Sequence, residues 1–303
     1  MDEDLDRRVR LAAFAHLAYL VDSFGEDLPA AALAKGFPFE GHTVHLLAPQ
    51  GIFIPAGMEV PLTIRTAAVR ADGSRAYQDQ FGPDGMLRYR YRGEELLHRE
   101  NRGLRQACRE AIPLIWLSGV TAGRYQPFWP VFVHADHPAA LTFAIAFEDM
   151  GVLSEELRPA VVDEARRAYI SQTVRKRLHQ TRFRRRVLHA YSDTCAICRL
   201  REERLLDAAH IVEDADPIGV PLIPNGLSLC KIHHAAFDSN ILGIRPDRVV
   251  EVNRDIMAKT DGPMLRYGLQ GCNGGALVLP RRREDWPGAE FLEARYQRFR
   301  AAG

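Results

Sequence analysis

Two pairs of metal-binding side chains occur in the chain with the same internal spacing. Cys195 and Cys198 are three residues apart, and Cys230 and His233 repeat that interval after a gap of 31 residues. Four sulfur and nitrogen ligands in two such pairs suit tetrahedral zinc, and a shell filled by protein atoms is structural rather than catalytic. The spacing therefore predicts a structural Zn²⁺ site. The alternative is two coincidental pairs of buried residues.

A second set of polar side chains is interleaved with these ligands. His210 ends a strand-like run, Asn225 lies in a turn, and His234 and Asp238 follow on a predicted helix. An imidazole with a pKa near neutrality can act as a general base. His234 and Asp238 are four residues apart and share one helical face, where both can bind a divalent cation. The pattern predicts a strand, a loop with Asn225 and a helix beginning near residue 229, a ββα arrangement suited to phosphodiester hydrolysis.

These residues resemble the HNH (ββα-metal) endonucleases, and the zinc-stabilised subgroup often found among restriction enzymes is the most similar. The motifs that carry the resemblance are Asp-Ala-Ala-His-Ile at 207–211 and His-His-Ala-Ala-Phe-Asp at 233–238. The resemblance implies that His210, Asn225 and His234 are the catalytic residues, with Asn225 orienting the imidazole or the loop. It also implies one catalytic cation, Mg²⁺ or alternatively Mn²⁺ or Ni²⁺.

One position departs from the family pattern. Many relatives have an acid or a second histidine directly before the general base, where this chain has Ala209. Asp207 is two residues earlier and on the same side of the strand, so it can replace that cation ligand directly or through water. The other interpretation makes Asp207 only a cap or an ion-pair partner. Of the adjacent histidines, the Cys-x-x-His spacing favours His233 as the zinc ligand and leaves His234 to the catalytic cation.

A long basic helix is predicted before the zinc motif, over about residues 155–191. Between Arg166 and Arg186 it contains nine lysines or arginines and no acid. A solvated helix face is one interpretation. We favour contacts with phosphates, because the run leads directly into the metal-ligand motif. The residues predicted to contact the DNA backbone are Arg175, Lys176, Arg177, Arg184, Arg185 and Arg186.

The first 150 residues differ in their pattern. Apolar residues at helical spacing predict an amphipathic helix over 5–22, and a second helix is predicted near 101–111. Short, partly alternating runs bounded by Gly, Pro or Asp predict strands, so a β barrel or a strongly bent sheet is expected. These runs are 44–47, 51–55, 60–64, 87–91, 113–117 and 131–133.

The same region resembles the SRA domains, barrels of the PUA superfamily that flip out and read 5-methylcytosine. The segments that carry the resemblance are 76–85, 89–93, 101–104 and 112–115. It implies a modified-base pocket in which Tyr77 and Tyr91 replace the lost stacking and Asp79 accepts from the cytosine 4-amino group. The alternatives are strand packing for the tyrosines and a turn-stabilising role for Asp79. Gln80 stands where an acid is common, which leaves the identity of the base open.

The composition is that of a soluble globular protein. Hydrophobic residues make up 47% and charged residues 26%, and 40 basic against 39 acidic residues give a net charge of +1. No run approaches the ~18 apolar residues of a membrane helix, and the acidic start is unlike a signal peptide. Five cysteines, three of them in the zinc motif, fit a reducing bacterial cytoplasm. Cys108 and Cys272 are predicted to be buried or free thiols.

Together these observations predict an α+β protein with two domains. The expected architecture is an SRA/PUA-like β barrel with helices (1–150), a basic helical linker (151–184) and a zinc-containing ββα-metal domain with a C-terminal extension (185–303). The expected function is a modification-dependent restriction endonuclease that cuts double-stranded DNA containing 5-methylcytosine or 5-hydroxymethylcytosine. One HNH site cuts one strand, so a homodimer or two encounters are expected for double-strand cleavage. The alternatives are an HNH enzyme specific for an unmodified sequence, a non-catalytic zinc DNA-binding protein and an RNA-directed binder.

Overall fold

The structure is a computed structural model of the 303-residue chain and describes residues 3–68, 80–147, 164–213 and 216–302. The chain divides into two compact units, residues 1–181 and 182–303. Both units combine helices with strands, so the predicted α+β class is confirmed. The predicted domain boundaries at 150 and 184 stay predictions.

The first unit is built around one mixed sheet with helices on its faces. Its elements are α1 (Glu3–Phe24), β1 (Leu28–Pro29), α2 (Ala30–Lys35), β2 (Phe37–Phe39), β3 (His42–Val44), β4 (Ile52–Phe53), β5 (Thr63–Thr66), β6 (Gln80–Phe81), β7 (Leu87–Arg90), α3 (Arg99–Glu110), β8 (Leu114–Thr121), β9 (Arg124–His137), β10 (Thr142–Phe147) and the start of α4 (Glu164–Ala190). The predicted helices over 5–22 and 101–111 correspond to α1 and α3. The run at 44–47 is not a strand, because β3 ends at Val44.

The large sheet is open in the part of the chain that the structure describes. Its order is β4-β5-β8-β9-β10-β7-β6, and β1 pairs with the first two residues of β9. Only β5 and β8 run parallel among these pairs. The end strands β4 and β6 do not pair with each other among the described residues. The predicted barrel is therefore not closed in these residues.

Both faces of this sheet are covered, as the sequence of β8 shows. Trp116 packs in a cluster with Leu104 of α3 and Val174 of α4. Its neighbours Ile115 and Leu117 pack on the other face, in a cluster with α1. Because successive side chains of a strand point to opposite faces, a strand buried on both sides is an unbroken apolar run.

The second unit contains the ββα arrangement. Its elements after the end of α4 are β11 (Leu206–His210), β12 (Gly226–Cys230), α5 (Lys231–Asp238), β13 (Leu242–Ile244), β14 (Val250–Val252), α6 (Arg254–Met257), a π-helical turn (Met264–Leu269) and α7 (Ala289–Ala302). The predicted strand, loop and helix are confirmed, with two shifts. Residues 226–230 extend into a strand antiparallel to β11, and the helix begins at Lys231 rather than near 229.

The C-terminal residues belong to the core of the second unit. Phe291 and Leu292 of α7 lie in the same buried cluster as Leu206, Leu229 and Phe237. Sequence position alone left the role of residues 244–303 open, and here they help to bury the ββα arrangement. None of the helices in the described ranges combines the length and apolar character that a membrane crossing requires.

Candidate active site and zinc site

Four side chains of the second unit form a compact cluster. The ligand atoms of Cys195, Cys198, Cys230 and His233 all lie within 4.8 Å of one another. The Sγ atoms of Cys198 and Cys230 are 3.9 Å apart, and His233 Nδ1 is 3.1 Å from Cys230 Sγ and 3.6 Å from Cys195 Sγ. Tetrahedral zinc with bonds of about 2.0–2.3 Å needs edges of about 3.3–3.8 Å. The cluster therefore has the donor set and the spacing of a structural zinc site.

The imidazole of His233 is oriented by the segment that follows the ββα arrangement. Its Nε2 donates to the carbonyl oxygen of Gly268 at 2.8 Å, and Cys272 Sγ lies 3.5 Å from the same nitrogen. A backbone acceptor on one ring nitrogen leaves the other nitrogen, here Nδ1, for the cation. The local Cys-x-x-His spacing pointed to His233, but nothing in the sequence pointed to Gly268 or Cys272.

Hydrogen bonding within the cluster changes the pKa values of Cys195, Cys230 and His233. The hydrogen bond with Cys230 holds the pKa of the Cys195 thiol well below its usual range, because it stabilises the thiolate. Burial alone would lower the pKa of His233, but the hydrogen bonds to Cys195 and Cys230 raise it above the ordinary histidine value. A site that favours a thiolate in this way is suited to hold a cation.

Three further predicted residues meet beside the zinc cluster. The Nδ1 atom of His234 is 3.7 Å from Asp207 Oδ2, and its Nε2 atom is 3.3 Å from Asp238 Oδ2. The two carboxylates thus contact opposite nitrogens of one imidazole. In this ring orientation, a cation bound to either nitrogen has only one of the two carboxylates beside it.

The two carboxylates differ in their surroundings. Asp207 Oδ1 accepts from Arg184 Nε at 3.2 Å and from the Ala208 amide at 2.9 Å. Burial would raise the pKa of Asp207, but the neighbouring His234 imidazole and the charge of Arg184 lower it. The proximity of Asp207 is also the main cause of the raised pKa of His234. Asp238, at the end of α5, is 62% exposed. Because this side chain is exposed, its carboxylate is accessible to a cation from solvent.

His210 is the last residue of β11, and its ring lies against a phenylalanine. The His210 and Phe183 ring centroids are 4.0 Å apart, with an angle of 11° between the planes. Phe183 is buried in the core of the second unit. Stacking on a buried ring restricts the rotation of the imidazole. Sequence analysis missed Phe183, which stands inside the arginine run.

Asn225 is fully buried and holds the loop between β11 and β12. Its Oδ1 accepts from the Val212 amide at 2.9 Å, and its Nδ2 donates to the carbonyls of Val212 and Val220 at 2.9 and 3.0 Å. The Asn225 carbonyl also accepts from the Ile211 amide at 3.0 Å. Of the two roles that the family resemblance implied, these contacts correspond to the orientation of the loop, directly after His210.

The residues predicted to contact DNA on α4 fall into two groups. Arg175, Lys176 and Arg186 are exposed. The other three form ion pairs with carboxylates of the protein. Arg177 binds Glu26 at 2.6 Å, Arg184 binds Asp207 and the Leu206 carbonyl, and Arg185 is 8% exposed against Glu203. The basic residues of this run therefore do not form one continuous basic face.

In the predicted base pocket, Tyr77 and Asp79 lie outside the described residues. Tyr91 is 3% exposed, and its ring stacks on Phe143 with centroids 4.5 Å apart. Its hydroxyl donates to Asp136 and accepts from Arg105 at 3.3 Å. Burial, followed by the bond to Asp136, raises the pKa of Tyr91. These contacts correspond to the strand-packing alternative for this tyrosine.

A comparison with known protein families identifies the family of a domain in the second unit. Residues 195–245 match the family model described as HNH endonuclease. The matched stretch contains the zinc cluster, His210, Asn225, His234 and Asp238, so the chain contains an HNH endonuclease domain and is a nuclease.

No curated protein matches the chain, whereas a similarity to a solved structure extends over more of its length. Among solved structures, it is similar to the modification-dependent TagI restriction endonuclease, at 14% identity and a TM-score of 0.29, over 79% of this chain and 82% of the other.

Proposed function

We propose that the protein is a modification-dependent restriction endonuclease that hydrolyses phosphodiester bonds of double-stranded DNA. The observation that carries the proposal is the interleaving of two metal-suited clusters on one ββα arrangement. The cysteine-rich cluster fits a structural zinc, and His234 and Asp238 next to it offer a nitrogen and a carboxylate to a divalent cation, with Asp207 on the other side of the imidazole. This arrangement supports a nuclease over a non-catalytic zinc domain that only binds phosphates.

His210 is the proposed general base. Its neutral imidazole accepts a proton from the water that attacks the phosphorus atom. The stacked Phe183 ring fixes the plane of the imidazole, and the Asn225 hydrogen bonds fix the backbone that follows it. A base held in one orientation loses little entropy when the substrate arrives.

His234 and Asp238 are the residues proposed to hold the catalytic cation, Mg²⁺ or alternatively Mn²⁺ or Ni²⁺. Such a cation, when bound, neutralises the scissile phosphate and stabilises the departing 3′ oxygen. Asp207 lies beside the other ring nitrogen of His234, where its charge favours this orientation of the ring, and Arg184 keeps Asp207 ionised. This assignment takes the cap and ion-pair alternative for Asp207, because its Oδ1 atom already has two donors.

The first unit is proposed to read the DNA as an SRA-like domain. The support is the sequence resemblance, with Tyr77 and Asp79 as the proposed contacts to a flipped 5-methylcytosine or 5-hydroxymethylcytosine. In the structure, a cleft beside β7 is lined by Gly51, Arg65 and residues 89–92. We place the modified base at this cleft and assign Tyr91 to its wall rather than to a stacking face. Cleavage of both strands by one site per chain favours a homodimer, acting in the bacterial cytoplasm.

A paired digestion tests this function. One plasmid sequence is prepared with cytosine, 5-methylcytosine or 5-hydroxymethylcytosine and incubated with Mg²⁺, Mn²⁺ or Ni²⁺. We expect cutting of a modified substrate, with loss of cutting but retention of DNA binding in His210→Ala. Equal cutting of the unmodified plasmid would indicate an enzyme for an unmodified sequence. Binding without cutting under every cation would instead indicate a non-catalytic DNA-binding protein, and preferred binding of RNA competitor would contradict DNA as the substrate.

A further inference from the structure

Helix α3 of the first unit carries a row of arginines that the proposed function has not used. Arg99, Arg102 and Arg109 lie within an arc of about 80° on the helix, at 100° per residue. All three are exposed. We call these three residues the arginine face. It extends over ten residues, or about 15 Å along the helix axis.

The arginine face borders a cleft of about 620 Å³, which Arg105 and Glu59 also line. Arg105 is bound to Asp136 at 2.7 Å, so its charge is already compensated. Arg99 donates to the Met58 carbonyl at 3.4 Å. Within the described ranges, no carboxylate forms an ion pair with any residue of the arginine face. The cleft therefore has an excess of positive charge, opposed by the single carboxylate of Glu59.

The helix that presents these side chains is held in a fixed position. The side chain of Asn101 is fully buried, accepts from the Arg92 amide at 2.8 Å and donates to the carbonyls of Arg92 and Glu95. On the inner side, a Cβ atom at Gly103 would lie 2.8 Å from Pro61 Cδ and 2.9 Å from the Glu59 carbonyl oxygen. Glycine at this position therefore lets α3 pack closely against residues 59–61.

We propose that the arginine face binds the phosphate backbone of double-stranded DNA. The inference rests on the proposed function, and it adds a contact surface that is separate from α4 and from the predicted base pocket. Phosphates repeat about every 3.4 Å of axis along each strand of B-DNA, so a stripe about 15 Å long passes several of them. Guanidinium groups without carboxylate partners bind phosphates through charge-assisted, often bidentate hydrogen bonds.

The salt dependence of DNA binding tests this surface. Binding of a 30-base-pair duplex by the full chain is measured by fluorescence anisotropy between 50 and 200 mM KCl, without divalent cation. The test variant is Arg102→Gln/Arg109→Gln. Each lost phosphate contact lowers the magnitude of the slope of log K against log[KCl] by about 0.9, so we expect a decrease of about 1.8.

Two controls separate charge from structure. Arg102→Lys/Arg109→Lys keeps both charges and should restore most of the slope. Lys35→Gln removes an exposed charge from α2 of the same unit and should leave the slope unchanged. An unchanged slope in the double glutamine variant, or the same decrease in Lys35→Gln, would overturn the inference. Failure of the wild-type chain to bind the duplex at all would instead contradict the proposed function.

Discussion

Asn225 offers the sharpest test of how the loop between β11 and β12 supports catalysis. Its side chain makes three hydrogen bonds, two to Val212 and one to Val220, and it is fully buried. A buried hydrogen bond contributes about 1 kcal/mol net to stability. Asn225→Ala should therefore lower the free energy of unfolding of the second unit by about 3 kcal/mol. The deletion also leaves one amide and two carbonyls of the loop without these partners.

The matched variant is Asn225→Asp, which has nearly the same shape. Its carboxylate can still accept from the Val212 amide, but it faces the two carbonyls that now receive hydrogen bonds from Nδ2. We expect Asn225→Asp to be at least as destabilising as Asn225→Ala, because a carboxylate beside two carbonyl oxygens is repelled. A pure size effect would make Asn225→Asp the milder change.

The assay needs a reporter that belongs to the second unit. Release of zinc into a chromogenic chelator along a urea titration follows this unit, since all four cluster residues lie in it. Both variants should release zinc at lower urea and cut DNA more slowly, with an unchanged pH profile because His210, the proposed base, is retained. A variant that keeps the wild-type midpoint and still loses cleavage would refute the reasoning, and it would place Asn225 in direct contact with the substrate.

Three further predictions concern the same unit. Chelation of the structural zinc should unfold the second unit, because zinc contributes about 10 kcal/mol or more to the folding of small zinc peptides. Circular dichroism combined with a metal assay measures this, and secondary structure that is retained after all zinc is removed would contradict it. Burial raises the pKa of Tyr191, so the stability that its neutral hydroxyl contributes is complete below the ordinary tyrosine pKa of about 10 and falls above it by about 1.4 kcal/mol per pH unit. Tyr191→Phe should remove that decline in urea titrations between pH 9 and 11. Asp238→Asn should raise the Mg²⁺ concentration needed for half-maximal cutting about tenfold or more, because it removes a proposed cation ligand. Asp207→Asn should mainly lower kcat. If Asp207→Asn changes the Mg²⁺ requirement and Asp238→Asn changes only kcat, the proposed roles of the two residues are exchanged.

The parts of the site that were predictable depend on short spacings. The intervals Cys-x-x-Cys and Cys-x-x-His bring ligands together within one turn, and the interval of four residues brings Asp238 to His234 on one helix. Local geometry determines such contacts whatever the rest of the chain does. The same holds for the long amphipathic helix α1, whose period is visible in the sequence.

The parts that were not predictable depend on partners distant in the sequence. Arg185 belongs to a run that looks uniformly basic, yet it is buried against Glu203, 18 residues away. Arg184 likewise binds Asp207, 23 residues away. His233 donates to the backbone carbonyl of Gly268. Because every residue has a backbone carbonyl, the sequence does not indicate which one accepts this hydrogen bond. A β barrel closes only when the two end strands of its sheet pair with each other. The sequence of one strand does not indicate whether the other end strand is long enough to pair with it.

Gly226 shows how one residue can satisfy two requirements of which only one is visible in the sequence. The pair Asn225-Gly226 predicts a turn, yet Gly226 is extended and begins β12, with φ −133° and ψ 145°. A Cβ atom at this position would lie 2.4 Å from Val187 Cγ2 and 2.8 Å from Phe183 Cζ. The absence of a side chain thus lets α4 approach β12 closely enough for Phe183 to stack on His210, the residue that pairs with Gly226 across the strands. The glycine therefore positions His210, the proposed general base, through helix packing, and the turn motif is incidental to that role.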